Sequence, residues 1–133
     1  MSSTETGYIH STNFNTRTVQ GNPRKVMNAR VLFQRSRYDE ETREYVDTGS
    51  VWADLSIWGS RAEALEGVLK PGASVMAMGT FHQRKWTHKE TGEERTGMGF
   101  RAEEVAILPR CIDRIDYKER QNSREEAPAG ESD

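Results

Sequence analysis

The sequence predicts an all-β domain, a five-stranded Greek-key barrel with one short helix between the third and fourth strands. Three observations carry that expectation. Four segments, in Val26–Phe33, Val51–Gly59, Ser74–Trp86 and about Thr96–Leu108, alternate apolar and polar residues with the period of two that strands require, and mostly polar Tyr8–Val19 reads as a fifth strand. One segment alone, after Gly59, shows the helical period. Turn-forming residues separate the segments at short intervals, as in a small all-β domain.

Residues 1–7 read as a disordered lead-in and Tyr8–Val19 as the first strand, with Tyr8, Ile9, Phe14 and Val19 as its apolar points. Gly21-Asn22-Pro23 signals a turn. Val26–Phe33 is the second strand, placing Met27, Ala29, Val31 and Phe33 on a core face and Asn28, Arg30, Leu32 and Gln34 opposite. Arg35–Gly49 is almost wholly charged, broken by Tyr38, Tyr45 and Val46, and reads as a long exposed hairpin loop.

The third strand, Val51–Gly59, organises the chain. Val51, Ala53, Leu55 and Ile57 share the core face, while Trp52, Asp54, Ser56 and Trp58 share the other. Two tryptophans on a face expected to be polar or small need a partner or a ligand. Ser60-Arg61-Ala62-Glu63 reads as a capping box, opening a helix over about Arg61–Leu69 whose apolar face is Ala62, Leu65, Val68 and Leu69. Lys70-Pro71-Gly72 stops it. Ser74–Trp86 is the fourth strand, with Val75, Ala77, Gly79 and Phe81 inward. Thr87–Thr96 is a hairpin, and about Thr96–Leu108 the fifth strand. Gly79, Gly97 and Gly99 suit bends and bulges. A helix between the third and fourth of five strands is the connectivity of an OB-fold. Residues 8–110 are thus read as one OB-fold domain and 111–133 as a mostly disordered tail.

Composition narrows the function. With 34% hydrophobic and 30% charged residues, the core is modest and the surface charge-rich. A single cysteine, Cys111, excludes an intrachain disulfide and fits a reducing compartment. No apolar run is long enough for a membrane span and the N-terminus is not signal-like, so a cytoplasmic, nucleoid-associated protein is expected without a membrane partner. The first 124 residues carry all 19 Lys and Arg against 17 of the 21 acids, while Glu125, Glu126, Glu131 and Asp133 make the end acidic.

Catalysis finds no support. His10, His82 and His88 lack metal-ligand spacing among themselves or with Cys111, which reads as a small semi-buried residue. No phosphate loop, nucleophile elbow or paired-carboxylate site is present. No enzyme, metal or cofactor is expected. The aromatics say more. Trp52 and Trp58 share a strand face, Trp86 follows Arg84 and Lys85, and Tyr38 lies beside Arg35 and Arg37. Aromatics interleaved with Lys and Arg are what non-specific single-strand binding needs: each stacked base contributes about 1–3 kcal/mol, and the cations meet phosphates. Trp52 also fits an interface residue, Trp58 a cover over the barrel end, and Tyr38 an ordinary loop tyrosine. Trp86 has no apolar neighbour in sequence.

At these residues the chain resembles the bacterial single-stranded DNA-binding proteins. Lys70–Trp86 is similar to that family's helix exit and its strand ending in an Arg-x-aromatic. Asp54–Gly59 with Ala62-Glu63 is similar to its strand that ends in an aromatic before the helix. Tyr38–Thr42 resembles its loop between second and third strands, and Thr91-Gly92-Glu93 with Arg95-Thr96 its last hairpin. The resemblance covers about Tyr8–Leu108. It implies base stacking on Tyr38, Trp52, Trp58 and Trp86, and a homotetramer formed by pairing first strands and stacking sheets, with a dimer as the smaller assembly. Arg84, Lys85, Arg35, Arg37 and Arg30 are the expected phosphate contacts.

Three departures qualify the resemblance. Asp54 stands where members often carry a base, which predicts weaker phosphate contact. Ala53 follows Trp52 where some members have an interfacial histidine. The acidic end Ala129-Gly130-Glu131-Ser132-Asp133 has no apolar tip for recruiting replication or repair proteins, which suits a phage-, plasmid- or mobile-element-type member. The expected function is coating single-stranded DNA with little sequence specificity in replication, recombination or repair. The alternatives are an OB-fold protein-interaction or primosomal accessory factor with weak nucleic-acid binding, and an enzyme's detached substrate-binding domain.

Overall fold

The computed structural model describes residues 2–119, with Ser36 and Arg37 described by their backbone alone. Seven strands and one short α-helix follow in order: β1 (Ser3–Val19), β2 (Asn22–Gln34), β3 (Ser36–Asp39), β4 (Glu44–Asp47), β5 (Val51–Trp58), α1 (Ser60–Leu65), β6 (Ser74–Thr87) and β7 (Glu94–Ile107). A 3-10 turn, Pro109–Cys111, ends the regular structure. β1, β2, β5, β7 and β6 pair in that order into a closed barrel, and β3 and β4 form a separate two-stranded ribbon. Closure comes from a parallel pairing of β5 with β7 at Asp54–Gly99, Leu55–Phe100 and Ser56–Arg101. The five barrel strands and the helix between the third and fourth of them make the OB-fold that the element order predicts.

Alternation dictates the core. Met27, Ala29, Val31 and Phe33 of β2 and Ala53, Leu55 and Ile57 of β5 are buried, with Ile9, Val75, Ala77 and Phe100 from the other strands. Phe33, Phe81 and Phe100 meet with ring centroids 4.8–5.4 Å apart. Burying each such side chain contributes about 1.5–3 kcal/mol.

The structure departs from the sequence reading at five places. Residues 3–7, expected as a lead-in, are strand: Ser3–Tyr8 pairs with Ser74–Gly79 of β6, so a polar segment is held by a partner distant in sequence. The first turn is Gln20-Gly21, with φ of 52° and 81°, while Asn22 and Pro23 already pair with Val19 and Thr18. Positive φ at both central residues matches the twist of a two-residue hairpin. The charged loop contains the β3–β4 ribbon.

The helix has a different start and stop. Gly59, at φ 78°, is its N-cap; no side-chain cap bond forms, and the Glu63 amide donates to the Gly59 carbonyl at 3.0 Å. Ser60 is therefore already helical and cannot act as the capping hydroxyl. The helix ends at Leu65, before Gly67 at φ 82°. Val68 consequently turns outward, 59% exposed, whereas Leu69 stays buried. Finally, Cys111 is exposed rather than semi-buried; its thiol donates to the Leu108 carbonyl at 3.1 Å. Residues 112–119 form no helix or strand, and the expected acidic end lies outside the described residues.

Candidate nucleic-acid interface

The outer faces of four barrel strands line up laterally. Arg30 of β2 pairs with Asp54 of β5, Asp54 with Gly99 of β7, and Gly99 with His82 of β6. Asp54 thus lies between two cations: Arg30 donates to it from 3.3 Å, and Arg84 of β6 donates to its other oxygen. Arg84 reaches it by crossing β7 over Gly99. A Cβ on Gly99 would come within 2.9 Å of the Arg84 Cδ and 2.6 Å of the His82 Cε1. Gly97 serves Trp86 similarly, since a Cβ there would meet the indole at 3.1 Å. Gly97 and Gly99, expected to make bends, instead form a bare floor on which β6 side chains lie. Gly79 does mark a bulge, where the β6–β7 register shifts.

The same cations address the tryptophans. The Arg30 guanidinium stands 5.3 Å from the Trp52 ring centroid and that of Arg84 5.7 Å from Trp86, within cation–π range. Trp52 is 44% exposed and Trp86 43%. His10, the extra residue where the β1–β2 register shifts between Ile9 and Ser11, lies edge-on to Trp52 at 5.7 Å. A groove of about 530 Å³ runs among Ser11, Asn13, Asn28, Arg30, Asp54 and Arg84.

Other predicted site residues stand elsewhere. Trp58, at the far end of β5, is half-buried under Arg24, whose guanidinium is 5.5 Å from the ring centroid. Tyr38 is 49% exposed on the ribbon, opposite Tyr45 and in edge contact with it at 5.3 Å. Arg35 packs over Phe81 at 4.9 Å and pairs with Glu5 at 3.6 Å. Lys85 is exposed, but alternation along β6 turns it away from the face of Arg84 and Trp86. Arg37 pairs with Val46 in the ribbon. The arrangement therefore joins Trp52, Trp86, Arg30 and Arg84 and leaves Arg35 and Lys85 apart from them. Sequence reasoning passed over His10, Arg24 and Arg101. Arg101 was within reach, because it continues the outward series Gly97, Gly99; the other two depend on a bulge and on a tight hairpin. Among the described residues no group of His, Cys, Asp or Glu could hold a metal ion, and no helix is long and apolar enough to cross a membrane.

The profile of the single-strand binding protein family matches residues 11–108. The chain belongs to the single-strand binding protein family. Membership makes it a single-stranded DNA-binding protein of a family without enzymatic activity. A search of curated proteins returns no match. Among solved structures, the small single-stranded DNA-binding protein from Streptomyces coelicolor superposes with a TM-score of 0.61 at 16% identity, covering 84% of this chain and 97% of that one. The wild-type single-stranded DNA-binding protein from Thermus aquaticus gives 0.55 at 19% identity, covering 80% of this chain and 49% of its own. A deletion mutant of the Thermus protein gives 0.53 at 18%, covering 81% and 50%. At these identities the likeness is one of fold, and the chain spans about half the length of the Thermus proteins.

Proposed function

We propose that this family member coats single-stranded DNA with little sequence preference, stacking bases on Trp52, Trp86, Trp58 and Tyr38 while arginines take the phosphates. The observation that carries the reading is the pairing of each barrel tryptophan with an arginine on the outer face: Arg30 with Trp52, Arg84 with Trp86 and Arg24 with Trp58. An indole beside a cation offers both halves of a nucleotide a partner, a π-face for the base and a charge for its phosphate. Neither half depends on base identity. Arg30 and Arg84 are the primary phosphate contacts in this reading; Arg37 in the ribbon joins them when the arm closes, and Arg35 and Lys85 contribute to the field around the barrel.

We further propose self-association to a homotetramer. Its support is family membership, together with the run of exposed Tyr8, Met76 and Met78 on the paired outer faces of β1 and β6. Work in replication, recombination or repair belongs to the same reading. The test is a titration of the protein's tryptophan fluorescence with oligo-dT at several salt concentrations. Quenching that saturates, with the logarithm of the affinity falling linearly with log salt, is expected. Unquenched emission with no salt-sensitive binding would overturn the reading. The same titration with Trp52 and Trp86 exchanged for Ala separates it from a protein-interaction role, in which DNA affinity would hardly change.

A further inference from the structure

Two lateral rows of polar side chains line the groove beside Trp52 and Trp86. Asn13, Asn28 and Ser56 form one row, paired strand to strand from β1 through β2 to β5. Amides and hydroxyls both donate and accept, so this row suits any base. The next row differs in kind. It holds Arg30 and Asp54, with Arg84 reaching in from β6. Among the described residues that line the groove, Asp54 is the one carboxylate, and an ionised carboxylate can only accept.

Asp54 keeps acceptor capacity beyond its two ion pairs. Its Oδ1 accepts from Arg30 at 3.3 Å and its Oδ2 from Arg84. A carboxylate has about four lone-pair sites, so each oxygen has room for a further donor while the arginines stay. If phosphates draw the arginines away, the carboxylate needs another donor more, not less. The side chain is 38% exposed and so open to a bound strand. Trp52 lies two residues earlier on the same face, about 7 Å along β5. A base stacked on that indole and turned along the strand sets an edge over Asp54.

The four bases are unequal partners for such an acceptor. In a single strand their Watson–Crick edges are free to bond to protein. Cytosine and adenine present an amino group there, and guanine an amino group beside a ring N–H. Thymine presents one N–H between two carbonyl oxygens, which a carboxylate repels. Acceptance from the cytosine amino group is a known way for an acidic side chain to read a base.

We infer that Asp54 is a base-selecting residue, which favours bases carrying an exocyclic amino group over thymine and uracil in the position beside Trp52. The inference rests on the single-strand-binding reading and adds to it the one contact that depends on base identity. Stacking and phosphate contacts remain indifferent to sequence, so the bias is small beside the total affinity.

The experiment titrates the full chain and its Asp54→Asn variant with oligo-dC, oligo-dT and oligo-dU at one salt concentration. Each oligonucleotide is roughly 30 nucleotides, long enough to exceed one OB-fold's site, and the buffer is slightly alkaline so that cytosine is neutral. Uracil has the edge of thymine without its methyl group, so oligo-dC against oligo-dU compares hydrogen bonding on nearly equal rings. Asp113→Asn removes the same charge from the exposed segment after the barrel and serves as control. Thermal melts establish that each variant is folded. The parent is expected to bind oligo-dC roughly fivefold more tightly than oligo-dU, the low end of what one base contact discriminates. In Asp54→Asn the amide both donates and accepts, so this ratio should fall close to one, through tighter binding of oligo-dT and oligo-dU. Asp113→Asn should keep the parent's ratio. A parent that binds oligo-dU as tightly as oligo-dC overturns the inference, and so does a folded Asp54→Asn protein that keeps the parent's ratio. Either result leaves the wider reading intact, whereas a parent that binds none of the three overturns both.

Discussion

Asp54 is the residue at which sequence and structure argue differently. Read in sequence, it is an acid between two tryptophans and predicts poor phosphate contact. In the fold it is the common acceptor of Arg30 and Arg84, two cations that also stand over Trp52 and Trp86. A carboxylate and a phosphate oxygen pair compete for the same guanidinium forks, so Asp54 occupies in the free protein what the DNA backbone would take. Its pairs are more than one-third exposed, and exposed ion pairs contribute about 0.2–1 kcal/mol each. Asp54→Asn should therefore strengthen oligo-dT binding roughly fivefold, taking about 0.5 kcal/mol per released pair, and should steepen the salt dependence. Weaker binding would mean that Asp54 holds the arginines where DNA needs them. The direction was legible in the sequence, where Asp54 already predicts weaker phosphate contact; the arginines through which it acts were not, since Arg84 reaches Asp54 only across a strand that has no side chain at Gly99.

At the scale of elements, β7 carries the most information in its glycines. A Cβ on Gly79, its neighbour across the β6–β7 pair, would stand 2.8 Å from the Ala102 Cα and closer still to the Arg101 carbonyl, which are backbone atoms that cannot swing aside. Gly79→Ala should cost about 2–3 kcal/mol and lower the urea midpoint by ~1 M or more. At Gly97 the obstacle is the Trp86 indole, a side chain that can move. Gly97→Ala should leave the midpoint nearly unchanged and weaken oligo-dT binding by lifting the indole. Equal loss of stability at both positions would contradict this division. The core faces of β2, β5 and the start of β6 were legible because burial on one face enforces a period of two. The start of β1 was not, because Thr4, Glu5 and Thr6 have no apolar pattern and owe their strand conformation to pairing with β6. The capping box failed for a related reason: the Gly59 amide is tied to the Lys25 carbonyl at 2.8 Å, and the N-cap falls on Gly59, one residue before the serine.

For the whole molecule, the barrel strand order brings Trp52 and Trp86 together on the outer surface and sets Trp58 at the far end of β5, with the arginines that face them drawn from β2 and β6. Trp52 and Trp86 stood out in the sequence as outward aromatics, and Arg84 beside Trp86 with them; the arginines of Trp52 and Trp58 did not, because Arg30 and Arg24 lie on another strand, β2. Self-association acts at the same scale. A tetramer of the 15.2 kDa chain has a mass of about 60 kDa by light scattering, and Met76→Glu with Met78→Glu should reduce it by setting charges in an apolar contact. An unchanged mass would place the contact elsewhere. The central claim is that Trp52 and Trp86 stack bases on a surface whose arginines take phosphates. It is tested most directly by measuring the oligo-dT affinity of Trp86→Ala beside the parent at fixed salt. Loss of one stacked base, about 1–3 kcal/mol, predicts a fall of roughly 5- to 150-fold with the salt slope nearly preserved. A folded Trp86→Ala protein that binds as tightly as the parent would contradict it.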